Sequence, residues 1–188
     1  SADLSGAIYD DSTVFPDYFR KDDCGLVFLG PGAVLPKMDL QGFDFKGEDV
    51  SGANLSYADL RGADLRGTDL TDADLSGVRL RRALYDNNTK FPRAFRPDAR
   101  GAYAVVAQAK IRFAKMSWKH LRGAELSGAE LVGAELIGAD LSDGQLNSID
   151  LTRANLYSAN LRNAEMHGAV LSHTNAKGAV FHGADLRR

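Results

Sequence analysis

The sequence predicts an all-β solenoid whose backbone turns once every five residues. Three observations carry that expectation. A large apolar residue, usually leucine, recurs at every fifth position over most of the 188 residues. A small residue, usually alanine, stands two places before it, and 14 of the 19 glycines fall two places after it. A helix cannot use this spacing: five helical steps advance about 500°, so successive leucines would drift about 140° around the axis. A straight strand fails too, because an odd period throws alternate leucines to opposite faces. A chain that bends after each pentad puts alanine and leucine inside and the remaining residues outside. Glycine in the fifth place tolerates the backbone angles of the bend.

Residues 2–11 hold the first two pentads, opening on Ala2-Asp3-Leu4-Ser5-Gly6. Residues 12–32 lose the rhythm at Phe15, Pro16 and Phe19, so a loop is expected there. Residues 33–87 hold eleven pentads, centred on Leu35, Leu40, Phe45, Val50, Leu55 and so on to Tyr85. A second loop, 88–108, carries Phe91, Pro92 and Phe95. Residues 109–188 hold sixteen pentads, centred on Ile111, Met116, Leu121, Leu126 and so on to Leu186. The whole of 1–188 is expected to form one domain.

The two loops match at an offset of 76 residues. Tyr9-Asp10 pairs with Tyr85-Asp86, Thr13 with Thr89, Phe15-Pro16 with Phe91-Pro92, Phe19-Arg20 with Phe95-Arg96, Asp22 with Asp98 and Gly25 with Gly101. The chain therefore carries a duplicated larger unit. The four phenylalanines are expected to tuck each loop onto the stack. Ala102, Val105, Val106, Ala109 and Phe113 also fit a helical stripe. Extended structure is expected instead, because the matching stretch after the first loop contains Gly30-Pro31-Gly32.

The run AELSG-AELVG-AELIG-ADLSD from Ala124 and the consensus A-(D/N)-L-x-x resemble the pentapeptide-repeat family over about 145 residues in twenty-nine units. The resemblance implies a right-handed quadrilateral β-helix: four sides of five residues, with coils of about twenty residues stacked at about 4.8 Å. The four-sidedness comes from the resemblance and not from the period. The Phe-Pro loops are similar to those of cyanobacterial-type members.

Charge narrows the function. With 23 basic and 25 acidic residues the net charge is −2, so no bulk field draws the chain onto nucleic acid or an anionic membrane. The longest apolar run, Ala102 to Ala107, is too short to cross a bilayer. Cys24 is the single cysteine and has no basic neighbour closer than Lys21, which suits a packed thiol and not a nucleophile. The acids before the central residues, Asp39, Asp44, Asp49, Asp59, Asp64, Asp69, Asp74, Glu125, Glu130 and Glu135, fall on a convex face with no cleft to shift their pKa. His120, His167, His173 and His182 take outward phases and share no ladder, so no metal site is expected. The chain is read as non-catalytic, with no cofactor.

Two surfaces are candidates for binding. Val132, Ile137 and Tyr157 put apolar groups where serine, threonine or charge is usual. Lys90, Arg93, Arg96 and Arg100 make the second loop basic, and residues 88–188 carry +5 in all. The expected partner is another protein of unknown identity, with no nucleic acid and no membrane insertion. The pentads run into both ends without a recognisable cap, so a longer native chain is expected, or a second chain or copy covering an open coil. The resemblance also implies an alternative role, imitation of duplex DNA to bind and protect gyrase. That role calls for a long acidic surface and a C-terminal dimerising helix, which this sequence does not offer. The sequence fixes no compartment; bacterial cytoplasm is the default, and the resemblance also admits a chloroplast or thylakoid-lumen setting.

Overall fold

The computed structural model describes residues 4–17, 19–20 and 24–187. Ala2, Asp3, Lys21, Asp22 and Arg188, which figure in the sequence reading, lie outside the described residues. The chain divides into two compact units, Ser1–Ala102 and Tyr103–Arg188, and each is a β-helix solenoid.

Every pentad is built alike. In the first unit the Ala58 N–H donates to the Leu55 carbonyl at 3.0 Å, closing a turn over Ser56 and Tyr57. The third turn residue has positive φ, 58° at Tyr57 and 71° at Gly62, the region where only glycine is free of strain. That requirement explains the phase of the glycines. Between turns the backbone makes one parallel bridge per side, in a register of twenty residues: Asp39 with Asp59, Asp44 with Asp64, Asn54 with Asp74. The second unit repeats the register from Lys110–Glu130 to Glu165–Asp185. Twenty residues are four pentads, so residues twenty apart form columns.

The inward phase is a continuous apolar channel. In the first unit Leu35, Phe45, Val50, Leu55 and Leu60 are fully buried, with Ala53, Ala58 and Ala63 beside them. In the second, Met116, Leu121, Leu126, Leu131 and Leu136 are likewise fully buried, with Ala129 and Ala134 beside them. Phe43 takes an alanine position, and its ring meets Phe45 edge-on at 4.6 Å. Thr68 points its hydroxyl into the channel and satisfies it on the Phe45 carbonyl at 2.8 Å. In the second unit half-buried Thr174 does the same on Leu151.

The loops change the register by one residue. Strand β1 (Ile8–Tyr9) pairs in parallel with β2 (Val27–Phe28), Ile8 opposite Val27 and Tyr9 opposite Phe28, nineteen residues apart in place of twenty. Asp69 bridges Lys90 across twenty-one. At strand β3 (Leu84–Tyr85) the pentad phase breaks earlier than the sequence suggests: Leu84 is fully buried and Tyr85, the expected central residue, is half-buried. The cause is the second loop, to which Tyr85 turns its ring.

Both loops use one construction. In the first, Tyr9 meets Phe15 edge-on at 5.4 Å and Phe15 stacks on Phe19 at 4.9 Å. In the second, Tyr85 meets Phe91 at 5.7 Å and Phe91 stacks on Phe95 at 5.4 Å. The Asp and Thr of the shared motif bond reciprocally. The Asp86 N–H donates to Thr89 Oγ1 at 3.0 Å, while Asp86 Oδ1 accepts the Thr89 N–H at 3.1 Å. Asp10 and Thr13 repeat the first of these bonds at 3.2 Å, and in both loops the threonine hydroxyl also donates to the carboxylate, at 2.9 Å from Thr13 and 3.1 Å from Thr89. The helical stripe over 102–113 does not form a helix. The nearby helical turn is three residues of 3-10 geometry, Asp98–Arg100, followed by strand β4 (Tyr103–Ala104).

Candidate functional site

The aspartates among the acidic positions are turn caps. Oδ1 of the Asp or Asn before each central leucine accepts the backbone N–H two residues on: Asp44 from Lys46 at 3.0 Å, Asp74 from Ser76 at 2.9 Å, Asp150 from Thr152 at 2.9 Å, Asn155 from Tyr157 at 3.2 Å. This Asx bond is the physical reason for the consensus Asp/Asn, since the side chain is the right length to reach its own turn. Sequence reasoning missed it: Asp44, Asp74 and the other acids of the first block were weighed only for catalysis, which the convex face speaks against. Arg61 binds Asp59 through Nε and a terminal nitrogen, at 2.8 and 2.6 Å, and holds it below its usual range. At Asp140 burial pushes upward, but hydrogen bonds from Ser142 and Asn160 outweigh it and the net shift is down.

The basic loop is partly neutralised. Lys90 pairs with Asp69 at 2.7 Å and, with Thr71, draws that carboxyl down to about 2. Because the folded value lies below the ordinary 3.9 or so, the pair contributes its full stabilisation above about pH 4 and loses it as pH falls through about 2. Urea melts at stepped pH should therefore show a small gap between wild type and Lys90→Met at pH 7 that closes by about pH 2. Arg96 reaches Asp98 only at 3.3 Å, with both groups largely exposed. Arg100 lies over the Phe95 ring at 4.8 Å from its centroid. Arg93 is exposed. Arg93, Arg96 and Arg100 line one side of a cleft of about 610 Å³, and Ala73, Asp74, Leu75 and Ser76 line the other. Lys90 is not part of its lining.

The apolar positions extend further than the sequence suggests. Val132 and Ile137 are half-buried and Tyr157 is 44% exposed. Two larger groups join them in the second unit: Phe113 at 68% and Trp118 at 70% exposed. Both occupy the turn position where glycine is usual, at φ of 57° and 62°. Each ring lies on a glycine one coil along. A Cβ built at Gly133 would stand 2.7 Å from the Phe113 ring, and one at Gly138 would stand 2.2 Å from the Trp118 ring. The backbone ties the group together, with Trp118 donating to Ile137 at 2.8 Å and Gly138 to Tyr157 at 2.8 Å. Trp118, Ile137 and Tyr157 thus share one corner, and Phe113 and Val132 share the preceding one. The signal in the sequence is an aromatic at the glycine phase with glycine twenty residues later.

Among the described residues no group of His, Cys, Asp or Glu could hold a metal ion. All four histidines are exposed. Cys24 is half-buried and donates from Sγ to the Arg20 carbonyl at 3.2 Å. No helix among the described residues is long and apolar enough to cross a membrane.

The Pentapeptide repeats family profile matches in eight copies, over 49–84, 107–143 and 149–188, more than half of the chain. No curated protein matches. Among solved structures, the chain is similar to HetL, a pentapeptide repeat protein involved in heterocyst differentiation regulation from Nostoc sp. strain PCC 7120. The identity is 27%, covering 84% of this chain and 76% of HetL, with a TM-score of 0.32. A pentapeptide repeat protein from the Arabidopsis thaliana thylakoid lumen shows 29% identity over 72% of this chain and 66% of its own, TM-score 0.32. Trypsin-treated QnrB1, a plasmid-mediated fluoroquinolone resistance protein, shows 17% identity over 97% and 84%, TM-score 0.33.

Proposed function

The chain belongs to the pentapeptide-repeat family, and from that premise we propose that it is a non-catalytic scaffold, a right-handed four-sided coil that presents a surface to a partner protein. One observation supports this reading above the others. Phe113 and Trp118 hold positive φ on large exposed side chains. An L-residue pays on the order of 1–2 kcal/mol there, and an aromatic in water recovers little of it. Glycine occupies the same phase one coil along, at Gly133 and Gly138, without that cost. Keyed onto those glycines, the rings form a preorganised apolar platform with Val132, Ile137 and Tyr157, the residue types that dominate protein interfaces.

The charge distribution argues against the DNA-imitating alternative. Residues 1–102 carry −4 and residues 103–188 carry +2, and several acids are already bound to arginine or lysine. A mimic of duplex DNA needs a continuous surface of one sign.

The test is the double variant Phe113→Gly/Trp118→Gly. It restores the residue this turn normally carries, so the circular dichroism spectrum and melting should be kept. Cross-linking pull-downs from the source cell should lose the partner seen with wild type, and gyrase supercoiling should be unaffected by either protein at stoichiometric amounts. Retention of the same partner by the variant would remove the apolar corner from the reading; gyrase inhibition or protection would replace the reading outright.

A further inference from the structure

We propose that the cleft beneath the second loop, lined by Arg93, Arg96 and Arg100, is a docking site for an acidic peptide segment of a partner protein. The inference deepens the scaffold reading and rests on it.

The first argument is the divergence of two copies. Both loops keep the tyrosine–phenylalanine stack and the Asp–Thr bonds that hold them in place. Arg96 is matched by Arg20, but Arg93 and Arg100 have no basic counterpart in the first copy. Asp17, Asp23 and Cys24 of the first loop stand where Arg93, Ala99 and Arg100 stand in the second. The loop architecture therefore does not require Arg93 and Arg100, and their charge is free to serve a ligand.

The second argument is the state of the guanidinium groups. Arg100 gives one face to Phe95, which itself stacks on Phe91, so its plane is fixed while its N–H edge stays open. Arg96 is held to Asp98 only at 3.3 Å in water, a pair weak enough to exchange for a better acceptor. Arg93 makes no ion pair among the described residues. Three such groups facing a cleft of about 610 Å³ suit carboxylates, which guanidinium binds in a bidentate fork.

The opposite wall selects peptide over nucleic acid. Asp74 is an acceptor there, held ionised by Ser76. A peptide offers N–H donors to Asp74 together with carboxylates to the arginines. A phosphodiester backbone offers acceptors only, and it would leave the cleft across a unit of net charge −4.

The test is fluorescence anisotropy on the full chain with a fluorescein-labelled Glu-Gly-Asp repeat peptide and, separately, a labelled oligo-dT. The informative variant is Arg93→Asp/Arg100→Cys, which gives the second loop the residues its own first copy carries; unchanged circular dichroism checks the fold. A control, Arg81→Asp/Arg82→Ser, removes two arginines elsewhere in the same unit. The expected result is saturable, salt-sensitive peptide binding, weakened about tenfold or more by the loop variant and kept by the control. Oligo-dT should not saturate. No binding to wild type, equal loss in the control, indifference to the loop variant, or tighter binding of oligo-dT would each overturn the proposal. Phe113→Gly/Trp118→Gly should still bind the peptide, so failure of the apolar corner and failure of the cleft are distinguishable.

Discussion

Replacing Leu136 by Asp should abolish cooperative folding of residues 103–188, whereas Glu135→Ala next to it should be almost silent. Leu136 is fully buried and belongs to the column of Met116 and Leu156, each also fully buried. Truncation to alanine there would already cost about 2–5 kcal/mol. Aspartate loses the same contacts and adds a carboxylate with no partner in an apolar channel, a penalty of several kcal/mol more unless it takes up a proton. The sum is comparable to the whole stability of a small domain, roughly 5–15 kcal/mol. Glu135 points outward; its pair with Lys115 at 3.5 Å is half-exposed at both ends and contributes about 1 kcal/mol at most. Urea melts followed by circular dichroism, with hydrogen exchange to locate the loss, measure the contrast. Comparable destabilisation by both variants would show that the inside and outside phases have been misassigned.

Phe45→Ala should be the most damaging truncation in the first unit, at about 3–5 kcal/mol. Phe45 is fully buried and is the bulkiest such side chain among the described residues. It also loses the edge contact with Phe43, worth roughly another 0.5–1.5 kcal/mol in such pairs. Phe45→Leu should cost much less, because leucine is the residue of the next coil, Leu65, and the column already accommodates it. In a stack whose coils contact only their neighbours, the damage should spread outward from residues 40–65. Equilibrium unfolding of the three proteins settles the order; an alanine variant within about 1 kcal/mol of wild type would mean the ring is not packed as described.

The pentad phase was legible because burial in a narrow channel leaves no freedom of residue type. Leu126, Leu131 and Leu136 are inside because each must be both large and apolar, and period five is visible to any reader. The Asx turns were harder to see, since an aspartate that caps its own turn and one that awaits a substrate look the same in a sequence. Tyr85 was misplaced by one position because the loop that claims its ring follows it in the chain and folds back. Phe113 and Trp118 are harder to read for a different reason: an aromatic at the glycine phase is visible in the sequence, but that it holds positive φ and lies exposed on the glycine of the next coil is visible only in the fold. The cleft at Arg93 and Arg100 depends on where residues 92–100 lie against Ala73–Ser76, a separation of about twenty residues that the loop's broken rhythm conceals.

The turn position described above has an evolutionary consequence. Because glycine there is strain-free and any other residue pays a small fixed toll, a corner can gain or shed a side chain in one mutation without disturbing the channel. Display and architecture are thereby decoupled. A lineage can try new recognition groups corner by corner, provided that the coil above a large ring keeps its glycine, as Gly133 and Gly138 do, and can revert simply by returning to glycine.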